Sequence, residues 1–339
     1  MLITKPEMGF ANKSTRLSEI GNLMSEKIRL GISSCLLGEN VRYDGGHQLD
    51  RFLRDTLGEY VEYVPVCPEV EMGLPTPRET LRLVEKEDSQ RLVFSKSGED
   101  VTERMLDWSR KRVMQLAKEN LCGFVFKAKS PSSGMERVKL YDRNGVPHKG
   151  GVGLFARIFM EHFPLLPVEE DGRLHDPRLR ENFIESIFTF KRWRDMLAKG
   201  RTAGNLVAFH TRHKLLLLGH STEIYRQMGK LVATGGKTPI EDLLNQYEAL
   251  LMKGMRVRST VSKQVNVLQH LLGYFKKQLS ADEKQEVLEQ IDLYRQGLLP
   301  LIVPMTLINH YVRKYDQPYL REQVYLSPHP VELKLRNHA

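Results

Sequence analysis

The stretch KIRLGISSC, residues 27–35, predicts a short apolar β-strand that ends in small residues and a cysteine. The stretch YVEYVPVC, residues 60–67, has the same form, GFVFK, residues 123–127, predicts a third strand, and LLPV, residues 165–168, predicts a last short strand. Helical patterns over residues 48–57 and 101–120 lie between these strands. Strands that alternate with helices favour a mostly parallel sheet, so we expect a Rossmann-like α/β domain.

Three loops follow the ends of the predicted strands, at residues 35–46, 67–78 and 130–134. Each contains Gly, Pro or Ser, which are common where the chain turns. In open parallel sheets, ligands bind beyond the carboxyl ends of the strands. We therefore expect the three loops to meet around one crevice.

The second half of the chain is predicted to be helical. From Asp195 nearly to the C-terminus, apolar residues recur at helical spacing, and Pro, Gly or polar turns separate the segments. One segment, residues 281–296, opens with Ser280 and Glu283 at the spacing of a capping box. The expected organisation is an N-terminal arm (1–27), an α/β domain (28–170), a connecting segment (171–194) and an all-α helical domain (195–339).

Positive charge is concentrated in the helical half. The net charge of the chain is +9. From Asp195 onward there are 20 Lys and Arg against 13 Asp and Glu, whereas the preceding residues carry 31 against 29. Clustered cations favour a polyanionic partner, because they displace counterions from a phosphate backbone. A basic domain without such a partner is the simpler alternative.

No apolar stretch reaches the roughly 18 residues that a membrane-spanning helix needs. The longest candidate, residues 297–308, is interrupted by two prolines, and residues 1–26 lack the apolar core of a signal peptide. We therefore expect a cytoplasmic protein without membrane contact, and we find no motif for a protein partner. The three cysteines form no CxxC pair, which argues against a zinc ribbon.

Two of the cysteines, Cys35 and Cys67, stand at the ends of neighbouring predicted strands. A metal or cluster site is then as good an interpretation as two buried cysteines that act as small apolar residues. Glu69 lies two residues after Cys67, so it would be close enough to a metal bound by that thiolate to act as a general acid or base. A solvated loop carboxylate is the simpler alternative. Ser130 opens a Ser-rich loop whose hydroxyls can stabilise developing charge or merely form a turn.

Four blocks in the N-terminal half resemble, in the same order, the thiouracil desulfidase family over roughly residues 28–170. They are SSCLLGENVRYDGG, VPVCPEVEMGLPTPRE, GEDVTERML and KAKSPSSG. The helical half resembles the YbgA-type domain, through the blocks FHTRHKLLLLGHS, VLQHLLGYFKKQLS, IVPMTLINHYVRKYDQPYL and YLSPHPVELKLRN. The fused pair is similar to desulfidases that act on 4-thiouridine in tRNA.

This resemblance implies a [4Fe–4S] cluster held by three cysteines, with one open iron that takes the sulfur of the substrate. By the same resemblance, Cys35 and Cys67 are cluster ligands, Glu69 is the catalytic carboxylate and Ser130 is an assisting hydroxyl. The implied reaction converts thiolated uridine to uridine with release of sulfide and needs no net electron transfer. The implied partner is thiolated tRNA.

The third cluster ligand is where this chain departs from the family pattern. Many family members have a cysteine at the position of Ser133. The remaining cysteine, Cys122, precedes Ser130 by eight residues, at about 3.3 Å each, so it should lie at the opposite edge of the sheet. The third ligand is therefore either Ser133, as a weak oxygen ligand, or Cys122, if the strand prediction is wrong.

Cations stand beside aromatic residues at three places in the helical half, residues 209–214, 274–277 and 310–314. Such pairs suit phosphate contact and base stacking, although each one alone is more often a helix with a buried ring and a solvated charge. Together with the charge and the resemblance, they predict RNA binding. The residues proposed for it are His210, Arg212, His213, Lys214, Lys276, Lys277, Arg313 and Lys314.

Three hypotheses about function follow from the sequence. The first is a desulfidase for thiolated uridine, most of all 4-thiouridine in tRNA. The second is a desulfidase for free thiouracil or its nucleotide, with a helical domain that serves assembly only. The third is a non-catalytic Fe–S or RNA-binding protein, which the serine at position 133 makes conceivable.

Overall fold

The computed structural model describes residues 27–86 and 89–337. The predicted N-terminal arm, apart from Lys27, lies outside the described residues. Within them, eight strands form two sheets. These strands are β1 (Ile28–Ser33), β2 (Val61–Val66), β3 (Leu81–Lys86), β4 (Ser89–Phe94), β5 (Phe124–Phe126), β6 (Val138–Tyr141), β7 (Pro147–Gly151) and β8 (Val168–Glu170).

The first sheet is parallel throughout, with the strand order β2-β1-β5-β8. β1 lies between β2 and β5, and its apolar side chains Ile28, Leu30 and Ile32 are fully buried. Gly31 lets β1 and β5 approach, since a Cβ at that position would lie 2.2 Å from the ring of Phe124. The predicted α/β architecture is thereby confirmed.

The order of this sheet fixes where a ligand can bind. The chain passes from β1 to β2 on one side and returns to the other side of β1 with β5. At such a switch point, the connections leave the strand ends in opposite directions and open a crevice between them. The crevice therefore lies beyond the carboxyl ends of β1, β2 and β5.

The second sheet was not predicted from the sequence. Its order is β4-β3-β6-β7, in which β3 pairs with β4 and β6 with β7 as antiparallel hairpins, while β3 and β6 run parallel. One turn signal was present: Asn144 and Gly145 connect β6 to β7, and Gly145 adopts the positive φ that such turns favour. The sheet matters for function because Thr80 and Leu81, at the start of β3, reach the crevice.

The helices of the described residues fall mostly in the second half of the chain. They are α1 (Pro68–Glu71), α2 (Thr102–Leu116), α3 (Leu154–His162), α4 (Pro177–Lys199), α5 (Ala203–His220), α6 (Thr222–Val232), α7 (Ile240–Arg256), α8 (Val261–Gly273), α9 (Ala281–Arg295), α10 (Ile302–Lys314) and α11 (Pro318–Arg321). The predicted all-α second half is confirmed, and the capping box of Ser280 and Glu283 is present at the start of α9. None of the helices described is both long and apolar enough to cross a membrane.

Two elements differ from their predictions. The segment expected to be a helix over residues 48–57 winds instead as one wide turn, Phe52–Thr56, followed by a tight turn, Leu57–Glu59. Gly58 lies in that last turn, and glycine favours such irregular ends over regular helix. The last strand begins at Val168 rather than at residue 165. Pro167 has no N–H group to donate to a neighbouring strand, so only its carbonyl pairs, accepting from the backbone N–H of Phe124 at 3.0 Å.

The helical half packs directly on the α/β half. Asp176 caps α4 by accepting from the backbone N–H groups of Arg178 and Leu179, and the helix then runs past Asp195 without a break. Ile187 of α4 lies against Gly123, where a Cβ would be 2.8 Å from its side chain. The position at which the charge pattern changes is therefore inside a helix that joins the two halves.

Candidate active site

A cavity of about 360 Å³ opens at the carboxyl ends of β1, β2 and β5. All three predicted loops contribute to it, so they do meet around one crevice. Among the residues predicted for the site, Cys35, Cys67, Glu69, Ser130 and Ser133 all line this cavity. A volume of this size lies at the lower end of the range for small-molecule sites.

The two cysteines enter the cavity from adjacent strand ends. Cys35 lies in the turn directly after β1, where its carbonyl accepts from the backbone N–H of Gln48 at 2.9 Å. Cys67 follows β2, and its backbone N–H donates to Oε1 of Glu71 at 3.0 Å. Burial raises the pKa of the Cys35 thiol to about 12 and also raises the pKa of Cys67. A buried thiol and a half-buried thiol in one cavity would become thiolates if a cation took the place of their protons.

Glu69 is anchored at both carboxylate oxygens. Oε2 accepts from Nε of Arg78 at 2.9 Å and also from Nη2 of the same guanidinium. Oε1 accepts from the hydroxyl of Ser132 at 2.9 Å. The Arg78 side chain is only 3% exposed and is itself fixed by the carbonyl of Val41 at 3.0 Å. Glu69 is therefore a positioned carboxylate inside the cavity and not a solvated loop residue.

The Ser-rich loop forms a second wall of hydroxyl groups. Ser130 Oγ lies 3.0 Å from Ser132 Oγ and accepts from the backbone N–H of Ser133 at 3.1 Å. The N-terminus of α3 supports the loop, since the backbone N–H of Phe155 donates to the carbonyl of Ser132 at 2.9 Å. Gly153 is required beneath it because a Cβ there would lie 2.6 Å from the Ser132 backbone.

A buried ion pair borders the same cavity. Lys127 Nζ lies 2.9 Å from Oδ2 of Asp171, and Oδ1 of Asp171 accepts from the backbone N–H of Ala128 at 2.6 Å. The backbone N–H of Lys127 also donates to the hydroxyl of Ser33 at 2.9 Å. These bonds tie the end of β5 to the end of β1. The positive charge of Lys127 counteracts the effect of burial on the pKa of Cys35.

The two alternatives for the third cluster ligand lie in different places. Ser133 lines the cavity and is 3% exposed. Cys122 is buried at the other end of the sheet, where its backbone N–H donates to the carbonyl of Arg29 at the start of β1, and it does not line the cavity. Within residues 27–86 and 89–337, no three His, Cys, Asp or Glu side chains are grouped to hold a metal ion. Of the candidate cluster ligands, the cavity thus holds the thiols of Cys35 and Cys67 and the hydroxyl of Ser133.

Two residues at this site were missed from the sequence, Arg78 and Ser132. Arg78 lies at the end of the Pro-rich loop that carries Glu69 near its start. An arginine and a carboxylate in the same loop can form an ion pair, and this is the signal that could have identified Arg78. The family resemblance implies Ser130 as the assisting hydroxyl, whereas the hydroxyl that contacts Glu69 belongs to Ser132. Which of three neighbouring serines faces the carboxylate depends on the turn of the loop and is not readable from spacing.

The residues predicted to bind RNA do not share one surface environment. Arg212, Lys276, Lys277 and Arg313 are exposed. Lys314 is exposed too, but its Nζ lies 2.6 Å from Oε1 of Glu283, so its charge is already paired.

The two histidines in this set are held by the interior of the helical half. His210 is half-buried, with Nδ1 3.1 Å from the hydroxyl of Tyr247. His213 is only 2% exposed, and its Nδ1 lies 2.8 Å from the carbonyl oxygen of Phe209, one helical turn earlier. The prediction that His213 contacts RNA is therefore wrong, because this face of α5 packs into the core.

Comparison with known proteins identifies both halves of the chain. A family model described as 2-thiouracil desulfurase matches residues 30–171, and a model for a protein of unknown function (DUF1722) matches residues 214–330. The chain is 31% identical over 161 residues to the uncharacterized protein YbgA of Escherichia coli (strain K12), which covers 47% of this chain and 95% of YbgA. It is 32% identical over 108 residues to the uncharacterized protein YbbK of Bacillus subtilis (strain 168), and this alignment covers 30% of this chain and 71% of YbbK.

A solved structure, that of the [4Fe–4S]-dependent thiouracil desulfidase TudS, matches with 28% identity and a TM-score of 0.37, covering 44% of this chain and 95% of that one. The first family model ends at residue 171, directly after β8, and the second begins at residue 214, within α5. The chain therefore belongs to the 2-thiouracil desulfurase family in its N-terminal half and to the DUF1722 family in its C-terminal half.

Proposed function

We propose that this protein removes sulfur from a thiolated uracil ring. The observation that carries the proposal is the convergence of two thiols, an anchored carboxylate and three serine hydroxyls on one cavity beyond the strand ends. In the reaction, water forms a new bond to the ring carbon, the carbon–sulfur bond breaks and hydrogen sulfide leaves. Atoms and charge balance without an oxidant or a reductant.

The donors present suit an iron–sulfur cluster. Cys35 and Cys67 offer the soft thiolates that such clusters require, and Ser133 offers an oxygen in the same cavity. A [4Fe–4S] cluster held by these three residues would supply one iron free to accept the sulfur of the substrate, as thiophilic metals do. The family match and the cluster named for TudS support this assignment, which remains a proposal for this chain.

Glu69 is the residue placed to move a proton. Its carboxylate can take a proton from the attacking water and return it to the departing sulfur, which is the ordinary work of a positioned acid/base. Arg78 and Ser132 hold it in place, so little reorientation is needed when the substrate binds. Ser130, hydrogen-bonded within the same loop, can donate to charge that develops on the ring.

We propose further that the ring belongs to 4-thiouridine in tRNA. The support is the surplus of 20 Lys and Arg over 13 Asp and Glu from Asp195 onward, which a free base would not need. Free thiouracil and thiouridine nucleotides are the competing substrates. The protein would then act in the removal of a tRNA modification in the cytoplasm.

The test is incubation of the anaerobically reconstituted protein with thiolated tRNA, with 4-thiouridine and with thiouracil. Nucleosides are analysed by mass spectrometry and sulfide is measured in parallel. We expect uridine and sulfide in equal amounts, with tRNA the best substrate by kcat/KM. Sulfide from none of the three would reject the desulfidase proposal, and efficient turnover of the free base alone would reject the tRNA proposal.

A further inference from the structure

A second cavity, of about 560 Å³, lies in the helical half between α5, α6 and α8. We refer to it as the basic groove. Leu215 and Leu218 contribute apolar surface, and the other lining residues are polar or aromatic. Those residues are Lys214, Thr222, Tyr225, Arg226, Ser262, Lys263, Asn266, His270 and Tyr274.

The charges around this groove are of one sign. In the part of the chain that the structure describes, no Asp or Glu lines it. Arg226 is exposed and has no ion-pair partner among the described residues, and the nearby Glu223 is hydrogen-bonded to Gln227 on the same helix. Lys263 is different, because its Nζ donates to the carbonyls of His220 at 2.7 Å and Arg258 at 3.0 Å. Arg226 and Lys214 are thus the cations available to a ligand.

Aromatic rings are already stacked at one end of the groove. Tyr274 is 42% exposed, and its ring lies 5.2 Å from the ring of Tyr319 at an interplanar angle of 22°. Lys214 Nζ lies 4.9 Å from the centre of the Tyr319 ring. Tyr225 also lines the groove, and its ring lies nearly parallel to that of His210, with the ring centres 6.3 Å apart. An exposed ring beside cations that form no ion pair among the described residues is a feature that binds a nucleobase together with its phosphate.

We propose that the basic groove holds a nucleotide of an RNA strand, with its phosphate at Arg226 and Lys214 and its base against Tyr274. This inference rests on the proposed RNA substrate, and it joins two of the stretches predicted from the sequence, residues 209–214 and 274–277, with Arg226, which the sequence did not indicate. Of the residues predicted earlier for RNA, only Lys214 lines the groove. Asn266, Ser262 and Thr222 add the neutral hydrogen-bonding groups that a ribose or a base edge requires.

The experiment measures RNA binding to the full-length protein by fluorescence anisotropy, using labelled tRNA and a single-stranded oligouridylate without thiolation, over a series of salt concentrations. Neither probe needs the cluster. For each of Arg226→Gln and Lys214→Gln, we expect the slope of log K against log salt on the single strand to fall by about 0.7, the value of one phosphate contact. Tyr274→Ala should weaken binding by about 5-fold to 150-fold, the range for one lost stacked base, and Tyr274→Phe should restore it.

Lys253→Gln and Lys284→Gln are the matched controls, since both residues are exposed cations of the same half that neither line the groove nor belong to the residues predicted to bind RNA. They should change binding much less than the groove variants. The proposal fails if the groove variants bind both probes as the native protein does, if the controls lose as much, or if uridine monophosphate binds with groove dependence while the RNA probes do not. Turnover of free 4-thiouridine, measured on the same variants, reports on the desulfidase proposal separately.

Discussion

Arg78 and Glu69 form a buried ion pair on one loop of the candidate site, with Nε of the guanidinium 2.9 Å from Oε2 of the carboxylate. The same guanidinium bonds the carbonyl of Val41 at 3.0 Å, so it links the loop after β2 to the loop after β1. A charged group this deeply buried is costly unless it is paired. The pair therefore fixes the carboxylate and the mouth of the cavity together.

We predict that Arg78→Gln lowers kcat by on the order of 10²-fold while iron content stays near normal, because Glu69 loses its anchor but the thiols remain. Arg78→Lys should recover part of the loss, since it restores the charge without the two-nitrogen contact. Steady-state kinetics on 4-thiouridine, together with iron analysis, check this. Arg91→Gln, which removes two partly exposed ion pairs outside the cavity, with Asp100 and Glu103, should leave kcat unchanged. An unaltered kcat in Arg78→Gln would mean that the pair serves folding alone.

Glu69→Gln should retain the cluster and lose turnover by about 10²-fold to 10⁴-fold, the usual loss for one positioned acid/base. Glutamine keeps the shape of the side chain and an oxygen that can accept from Arg78 or Ser132, so the cavity should persist. The measurements are single-turnover desulfuration and the visible absorbance of the reconstituted protein. Near-normal turnover with intact absorbance would remove Glu69 from the mechanism.

The parts of this fold that could be predicted are those encoded locally. β1 and β2 are short apolar runs that each lead directly to a cysteine, and parallel strands bring their carboxyl ends to one edge. The second sheet escaped prediction because β3 and β4 mix charged and apolar residues and are only partly buried. Such strands lack the continuous apolar run of a buried strand.

Contacts between distant residues could not be predicted in the same way. Ser132 reaches Glu69 from 63 residues away, across the sheet, and the loop turn decides which serine faces the carboxylate. The basic groove is assembled from three helices, so its lining is scattered along the chain between Lys214 and Tyr274. The sequence marked the stretches that contain Lys214 and Tyr274, but spacing along one helix does not show that they meet, and the same spacing placed the buried His213 on the surface.

The helical half depends on a residue from its last segment. Arg336 is 3% exposed, and it donates to Oε1 of Glu185 at 2.7 Å and to the carbonyl of Tyr325 at 2.7 Å. We predict that Arg336→Met lowers the free energy of unfolding by about 3–5 kcal/mol, because the buried carboxylate of Glu185 loses its guanidinium partner and keeps only His220. Urea denaturation followed by circular dichroism measures this. Arg321→Met breaks only an exposed pair with Asp316 and should cost at most about 1 kcal/mol; equal losses in both variants would contradict the assignment.

Substitution of Cys35 or Cys67 should affect cluster loading, whereas substitution of Cys122 should not. We expect Cys35→Ala and Cys67→Ala each to abolish cluster loading, since both thiols line the cavity. Cys122→Ser should load iron normally, because Cys122 is buried at the other end of the sheet. Iron and sulfide content after anaerobic reconstitution, with circular dichroism as the folding control, tests all three. Loss of the cluster in Cys122→Ser, with the fold retained, would make Cys122 a ligand and overturn the geometry.

Ser133 is expected to bind the cluster more weakly than a cysteine would at the same position. Its hydroxyl is a hard oxygen donor, whereas iron–sulfur clusters are ordinarily held by soft thiolates. We predict that Ser133→Cys retains more iron per chain and loses it more slowly to a chelator than the native protein. Ser133→Ala should lose iron faster than the native protein, if the oxygen is a ligand as proposed.

The double variant Cys122→Ser, Ser133→Cys is the control for this comparison. It keeps three cysteines in the chain but moves the third from the far end of the sheet into the cavity. Because only the location of the thiol changes, its iron retention should match that of Ser133→Cys alone. If the double variant instead behaved as the native protein, the gain would come from the number of cysteines and not from position 133. If Ser133→Ala and Ser133→Cys both retained iron as the native protein does, Ser133 would not be a ligand, and the cluster would be held by Cys35 and Cys67 without it.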